Sequence, residues 1–199
     1  MPLVETIRKI KDAEEKTLKD YKELLKELRK PEDAELKRVI LRLAVDKIFH
    51  KELMEAIERA YKEATSLLRE HLEPFYPELE PIKESIMELD QGLALIPGIP
   101  SLLLPLDFGK VGYRIPPEEA LEELVKGFPD VSIIPEDKLN LLREKLKEIM
   151  EHEEEMIEGY RDLEEKAKHP IIKDISKSVL HNEEQHEAVL KKIAEKFRE

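Results

Sequence analysis

Cysteine and tryptophan are both absent from the 199 residues, and aromatic residues make up only 5%. Without cysteine no disulfide, thiolate metal site or thiol nucleophile can form. A basic excess is missing too: 46 acidic residues outnumber 34 basic ones, giving a net charge of −12. Nothing basic is concentrated enough to follow a phosphate backbone, so a nucleic-acid partner is not expected. Nor is there an apolar run suited to a transmembrane segment. The longest, Leu93 to Leu106, falls short of the roughly 20 residues a spanning helix needs and is broken by Pro97, Pro100 and Pro105. The opening Met1-Pro2-Leu3-Val4-Glu5 reads as the start of an amphipathic helix rather than a leader, which makes a reducing cytoplasm the expected location.

What is present in abundance is charge: 40% of residues, mostly Glu and Lys. That balance suits a helix-rich chain and is similar to the Lys/Glu enrichment of hyperthermophile proteins. Periodicity predicts long helices at about 4–29, 33–72, 136–168 and 171–198. Very short turns at Pro31 and Pro170 pair them into two hairpins, 4–72 and 136–198. The expected fold is all-α, a four-helix bundle in one domain spanning 1–199. Between the hairpins, an insert at 73–135 holds most of the proline and glycine. A connection that long usually has structure or function of its own. Short helices are expected within it at Ile82–Gln91 and Pro117–Lys126. The apolar run 93–106 is expected to pack along the bundle or fill a subunit interface, so a homodimer or higher oligomer is anticipated.

The two hairpins share a pattern. Apolar positions alternating three and four apart mark the inward face of a bundle helix. The first helix reads Ile7, Ile10, Glu14, Thr17, Tyr21, Leu24, and the third reads Leu146, Ile149, Glu153, Met156, Tyr160, Leu163. The second reads Val39, Leu43, Asp46, His50, Leu53, Ile57, Ala60, Ala64, Leu67, and the fourth Ile175, Val179, Asn182, His186, Val189, Ile193. Each stripe is apolar except near its middle. Glu14 and His50 lie 17 and 19 residues from Pro31, and Glu153 and His186 lie 17 and 16 from Pro170, so partners reach a common depth. Carboxylates and imidazoles facing a core are costly to bury unless they bind something, and a transition metal is the usual occupant.

Glu183 and His186 are three apart and point the same way, the spacing with which bundle helices supply a Glu-x-x-His pair to a metal. With the Glu lying seven residues before a Tyr in both halves, the chain resembles the ferritin-like superfamily, and within it the rubrerythrin-type bundles. The likeness covers the four helices and omits the insert. It implies a carboxylate-bridged iron centre, dinuclear in such bundles, or its manganese counterpart, reacting with dioxygen or peroxide. Glu14, Glu153 and Glu183 would be carboxylate ligands, and His50 and His186 imidazole ligands. Tyr21 and Tyr160 would donate hydrogen bonds that orient the carboxylates. Such proteins often carry a rubredoxin-type module, which this cysteine-free chain cannot form. Electrons would come from a separate donor.

One position breaks the pattern. Aligning His50 with His186 puts Lys47 where the second half has Glu183, and a protonated Lys cannot be a ligand. Asp46 is the obvious substitute ligand. Three outcomes stay open: Asp46 completes an asymmetric two-metal site; the centre holds one metal, mainly through Glu14, Glu153, Glu183 and His186; or the site is degenerate, with Lys47 and the carboxylates making a buried ion-pair network in a non-catalytic scaffold or interaction protein. Among the other histidines, His152 turns away from the stripe, His181 sits on an outer face, and His71 and His169 fall at helix ends. Glu15 and Glu154, beside the stripe, are expected in solvent.

Overall fold

Proline punctuates the helices as expected. Pro31 opens a 3-10 turn, Pro31–Asp33, and Pro170 takes the first position of a long helix, where its missing N–H is no loss. The computed structural model describes residues 3–72 and 116–198. Among these the α-helices are α1 (Leu3–Glu27), α2 (Ala34–Leu72), α3 (Glu118–Lys126), α4 (Glu136–Lys166) and α5 (Pro170–Lys196), and no strand occurs. None of these helices is long and apolar enough to cross a membrane. The expected helix at 117–126 is α3. The expected helix at 82–91 and the apolar run 93–106 lie outside the described residues.

Cross-helix contacts fix the directions. Between α1 and α4, Thr6 bonds Asp162, Tyr160 bonds Glu14, Tyr21 bonds Glu153 and Lys145 bonds Glu23, so the two helices run antiparallel. Contacts of α1 with α2 (Arg8 and Lys11 to Glu58, Glu14 to His50) and of α4 with α5 (Arg143 to Phe197, Arg161 to Glu184) run the same way. Gly159 allows the close approach of α1 to α4, because a Cβ there would meet Ile10 Cγ1 at 2.9 Å. At the first turn, Lys138 holds the buried Asp33 carboxylate at 2.7 and 2.8 Å, tying the start of α4 to the start of α2. α2 is 39 residues long, so the chain after it must return by about 55 Å to begin α4.

Two apolar cores result. One gathers Leu18, Leu24, Leu43, Leu142, Ile149, Leu190 and Phe197, capped by Val125 and Phe128 beside α3. The other gathers Leu3, Ile7, Met54, Tyr61, Met156, Leu163 and Val179. Between them lies a polar layer.

The inward face of α2 differs from its expected stripe. Beyond Leu43 the buried positions are Ala44, Lys47, His50, Met54, Ile57, Glu58, Tyr61 and Thr65, whereas Leu53 and Leu67 are exposed, Ala60 also faces out, and Val39 and Ala64 are only half-buried. α2 carries apolar residues around most of its circumference, so apolar spacing alone does not choose its face. In α5, likewise, Glu183 and Leu190 are buried while Asn182 and Val189 are intermediate.

Glu58 clasps α1 to α2 through Arg8 at 2.7 Å, Lys11 at 3.0 Å and Lys62 at 2.7 Å. Hydrogen bonds from Arg8, then from Lys62 and Lys11, hold its carboxyl down at about 2. A folded value below the ordinary one means that the stabilisation is full above about pH 4.5 and lost as pH falls towards 2. Urea midpoints measured across that window are expected to fall less steeply with acid in Glu58→Gln than in the parent. Parallel acid limbs would show that the clasp contributes nothing.

Candidate metal centre

The polar layer is built from both hairpins. α1 and α4 contribute Glu14, Tyr21, Glu153 and Tyr160, while α2 and α5 contribute Lys47, His50, Glu183 and His186. All are buried, and Glu14, Lys47, Glu153 and Glu183 have no exposed surface at all. The structure therefore brings together five of the six residues expected as ligands. Asp46 is the exception: it sits half-buried at the edge and does not join the convergent carboxylates.

Each tyrosine serves the opposite half. Tyr21 donates to Glu153 Oε1 at 2.7 Å and Tyr160 to Glu14 Oε1 at 2.7 Å. Seven residues along one helix separate two groups by about 10 Å, so a tyrosine cannot reach the glutamate of its own helix. The antiparallel neighbour brings the other glutamate within reach. Burial, and then the facing carboxylates, push both phenols well above their usual value, so they remain donors.

Lys47 occupies the middle. Its Nζ donates to Glu153 Oε2 at 2.8 Å and to Glu183 Oε2, and lies 3.7 Å from Glu14 Oε2. Burial disfavours its charge, yet Glu153, Glu183 and Glu14 outweigh burial and raise its pKa. It stays an ammonium. His50 Nδ1 lies 2.5 Å from Glu183 Oε1 and 3.5 Å from Glu14 Oε1. Its burial is likewise overcome by Glu183 and Glu14, which bring it up to about 10.

Glu153 and Glu183 diverge. Burial, opposed by Lys47, pushes Glu153 up to about 8, with Glu183 adding to the rise. Glu183 is as deeply buried, but Lys47, His50 and His186 hold it well below the carboxylate range. The two carboxyls titrate as a coupled pair, burial favouring the neutral form at Glu153 and the surrounding cations the charged form at Glu183.

His186 stacks on His50 with ring centroids 5.9 Å apart and turns Nε2 to Asp46 Oδ2 at 3.1 Å. Burial lowers its pKa, and Asp46 and Glu183 raise it further than that. Asp46, expected as a ligand, instead fixes the ring so that Nδ1 faces the layer. Metal-binding imidazoles are commonly oriented in this way.

The fit to a metal can be read from unused atoms. Among the described residues Glu14 Oε2, His50 Nδ1, Glu183 Oε1 and His186 Nδ1 are buried without a hydrogen-bond partner; the close approach of His50 to Glu183 lacks hydrogen-bond alignment. Two sets, Glu14–His50–Glu183 and Glu153–Glu183–His186, each offer three donor atoms lying within 4.8 Å of one another. They are not equivalent. In the second, Lys47 already takes Glu153 Oε2 and Glu183 Oε2, and Tyr21 takes Glu153 Oε1. In the first, Glu14 Oε2, His50 Nδ1 and Glu183 Oε1 take no aligned hydrogen bond and are held only by the ion pairs of His50 with Glu183 and of Lys47 with Glu14. Carboxylate and imidazole donors suit a first-row transition ion.

No protein-family model, curated protein or solved structure matches the chain. The case for the site therefore rests on its geometry.

Lys47 is the residue whose place the apolar stripe missed. The signal was the half-to-half alignment, which sets it against Glu183, three residues before a histidine. Of the histidines set aside, His152 pairs with Asp20 at 2.9 Å across α1 and α4, and His169 stands at the N-cap position of α5 without a side-chain cap bond.

Proposed function

We propose that this chain is a ferritin-like metal-binding protein, akin to the rubrerythrin-type bundles, which holds one iron or manganese ion at Glu14, His50 and Glu183, with the Lys47 ammonium in the place of a second ion. The observation that carries the reading is the asymmetry of the two donor sets: Lys47 takes a carboxylate oxygen from both Glu153 and Glu183 of one, whereas in the other Glu14 Oε2, His50 Nδ1 and Glu183 Oε1 are buried without an aligned hydrogen bond.

A bound iron or manganese ion would supply the one-electron chemistry by which peroxide or dioxygen is reduced, with electrons from a separate donor. The residues would then divide the work. Tyr160 holds Glu14 in place, and Asp46 fixes His186. Lys47 keeps a fixed positive charge beside the set and holds the Glu153 and Glu183 carboxylates in place. The two cores on either side exclude water.

A second reading has its own support. Lys47 and His50 already form ion pairs with Glu14, Glu153 and Glu183, so the layer is internally compensated and would persist in a non-catalytic scaffold without metal. Anaerobic titration with Fe(II) or Mn(II), followed by elemental analysis, separates the two. One ion per chain is expected, abolished in His50→Ala and Glu183→Ala. Tyr160→Phe, which releases the Glu14 carboxylate, should keep the stoichiometry with affinity lowered about 10–100-fold. Protein that takes up neither ion leaves the scaffold.

A further inference from the structure

The outer face of α2 carries most of the large exposed apolar side chains of the described helices. Leu41, Val45, Ile48, Phe49 and Leu53 are all exposed, Phe49 at 65%, and Ala56 continues the strip. At helical spacing these residues lie on one side, opposite the face that delivers Lys47 and His50 to the polar layer. No helix among the described residues covers them. A contiguous apolar strip of this kind is uncommon on a monomer and marks an interaction surface.

The charges around the strip say what fits it. Lys37, Arg38 and Arg42 are exposed at its first end, and at its far end Glu52, Glu55 and Glu63 outnumber Arg59, with Glu52 paired to Lys51 at 3.2 Å. A second α2 laid antiparallel across Ile48 and Phe49 brings the basic end of each helix to the acidic end of the other. A parallel arrangement would set like charges together. A two-fold axis requires such self-complementarity, because both subunits use the same patch.

We propose that α2 is a dimer interface, and that its occupant is the α2 of a second copy of this chain, antiparallel and centred on Ile48 and Phe49. The apolar strip supplies the burial, and the flanking charges set the direction. The interface lies on the same helix as Asp46, Lys47 and His50, so it braces the helix that delivers half of the polar layer. The aromatic at the centre is its main anchor, as is usual for such patches.

Sedimentation velocity on the full chain, over a concentration series reaching about 200 μM, tests the proposal in the range where a single-helix interface would associate. A dimer is expected, with its dissociation constant raised at least about 30-fold in Phe49→Glu. Should that variant fail to fold, charge reversal gives an independent answer on the surface alone. Arg42→Glu with Lys37→Glu should weaken the dimer, as should Glu52→Lys with Glu55→Lys, and an equimolar mixture of the two double variants should recover it as a heterodimer. A monomer throughout overturns the proposal, since the face is then covered by the chain's own residues 73–115 or kept for another protein. A dimer indifferent to all of these changes overturns it as well, by placing the contact elsewhere.

Discussion

Lys47→Met is expected to cost the metal-free protein about 3–5 kcal/mol, the range for removing one partner from a buried ionic cluster. The side chain is fully buried, and methionine approximates its length and volume, so packing changes little. What disappears is the ammonium. Glu153 Oε2 and Glu183 Oε2 lose their shared donor, and Glu14 loses its nearest positive neighbour apart from His50. For a chain of this size each kcal/mol moves the melting temperature by about 2–4 °C, so a fall of about 10 °C is expected by calorimetry. Saturating Mn(II) should return part of the loss, because a ligand held 100-fold above its dissociation constant adds about 2.7 kcal/mol. An unaltered melting temperature would mean that the carboxylates do not depend on Lys47, and the ammonium could not be described as standing in for an ion.

The hairpins and the depth of the polar layer were legible because they are local. Pro31 and Pro170 mark turns by their own geometry, and the Glu–Tyr spacing in α1 and α4 lies on helices that are strongly polar on one side. α2 was harder. Its apolar residues encircle it, so choosing the greasiest stripe turned Asp46 and Leu53 inward, whereas the structure turns Lys47, Met54 and Tyr61 inward. The apolar surplus is the exposed strip at Leu41 to Leu53. A charged residue enters a core only when other helices bring compensating charge, and the partners of Lys47 are 106 and 136 residues away, at Glu153 and Glu183. No window along α2 contains that information. The exchange of tyrosines between halves was hidden for the same reason. Spacing shows that Tyr21 and Tyr160 face the layer, but only the antiparallel packing of α1 on α4 decides which carboxylate each one meets.

Lys47→Glu is expected to raise the metal stoichiometry from one ion per chain to two. The substitution gives the first half a carboxylate three residues before His50, matching Glu183 and His186 in the second. It also withdraws the ammonium that now claims Glu153 Oε2 and Glu183 Oε2. Both donor sets would then be open, and His186 Nδ1, already fixed from behind by Asp46, would have an ion to face. Without metal this variant carries four buried carboxylates and no ammonium, so it should be less stable than Lys47→Met and fold well only when Fe(II) or Mn(II) is supplied. Elemental analysis against protein concentration gives the count, and calorimetry with and without metal gives the coupling. If the variant folds with metal and still binds a single ion, Lys47 does not occupy the place of a second one. Uptake of two ions, with the parent taking one, would tie the number of metals to a single side chain at the centre of the layer.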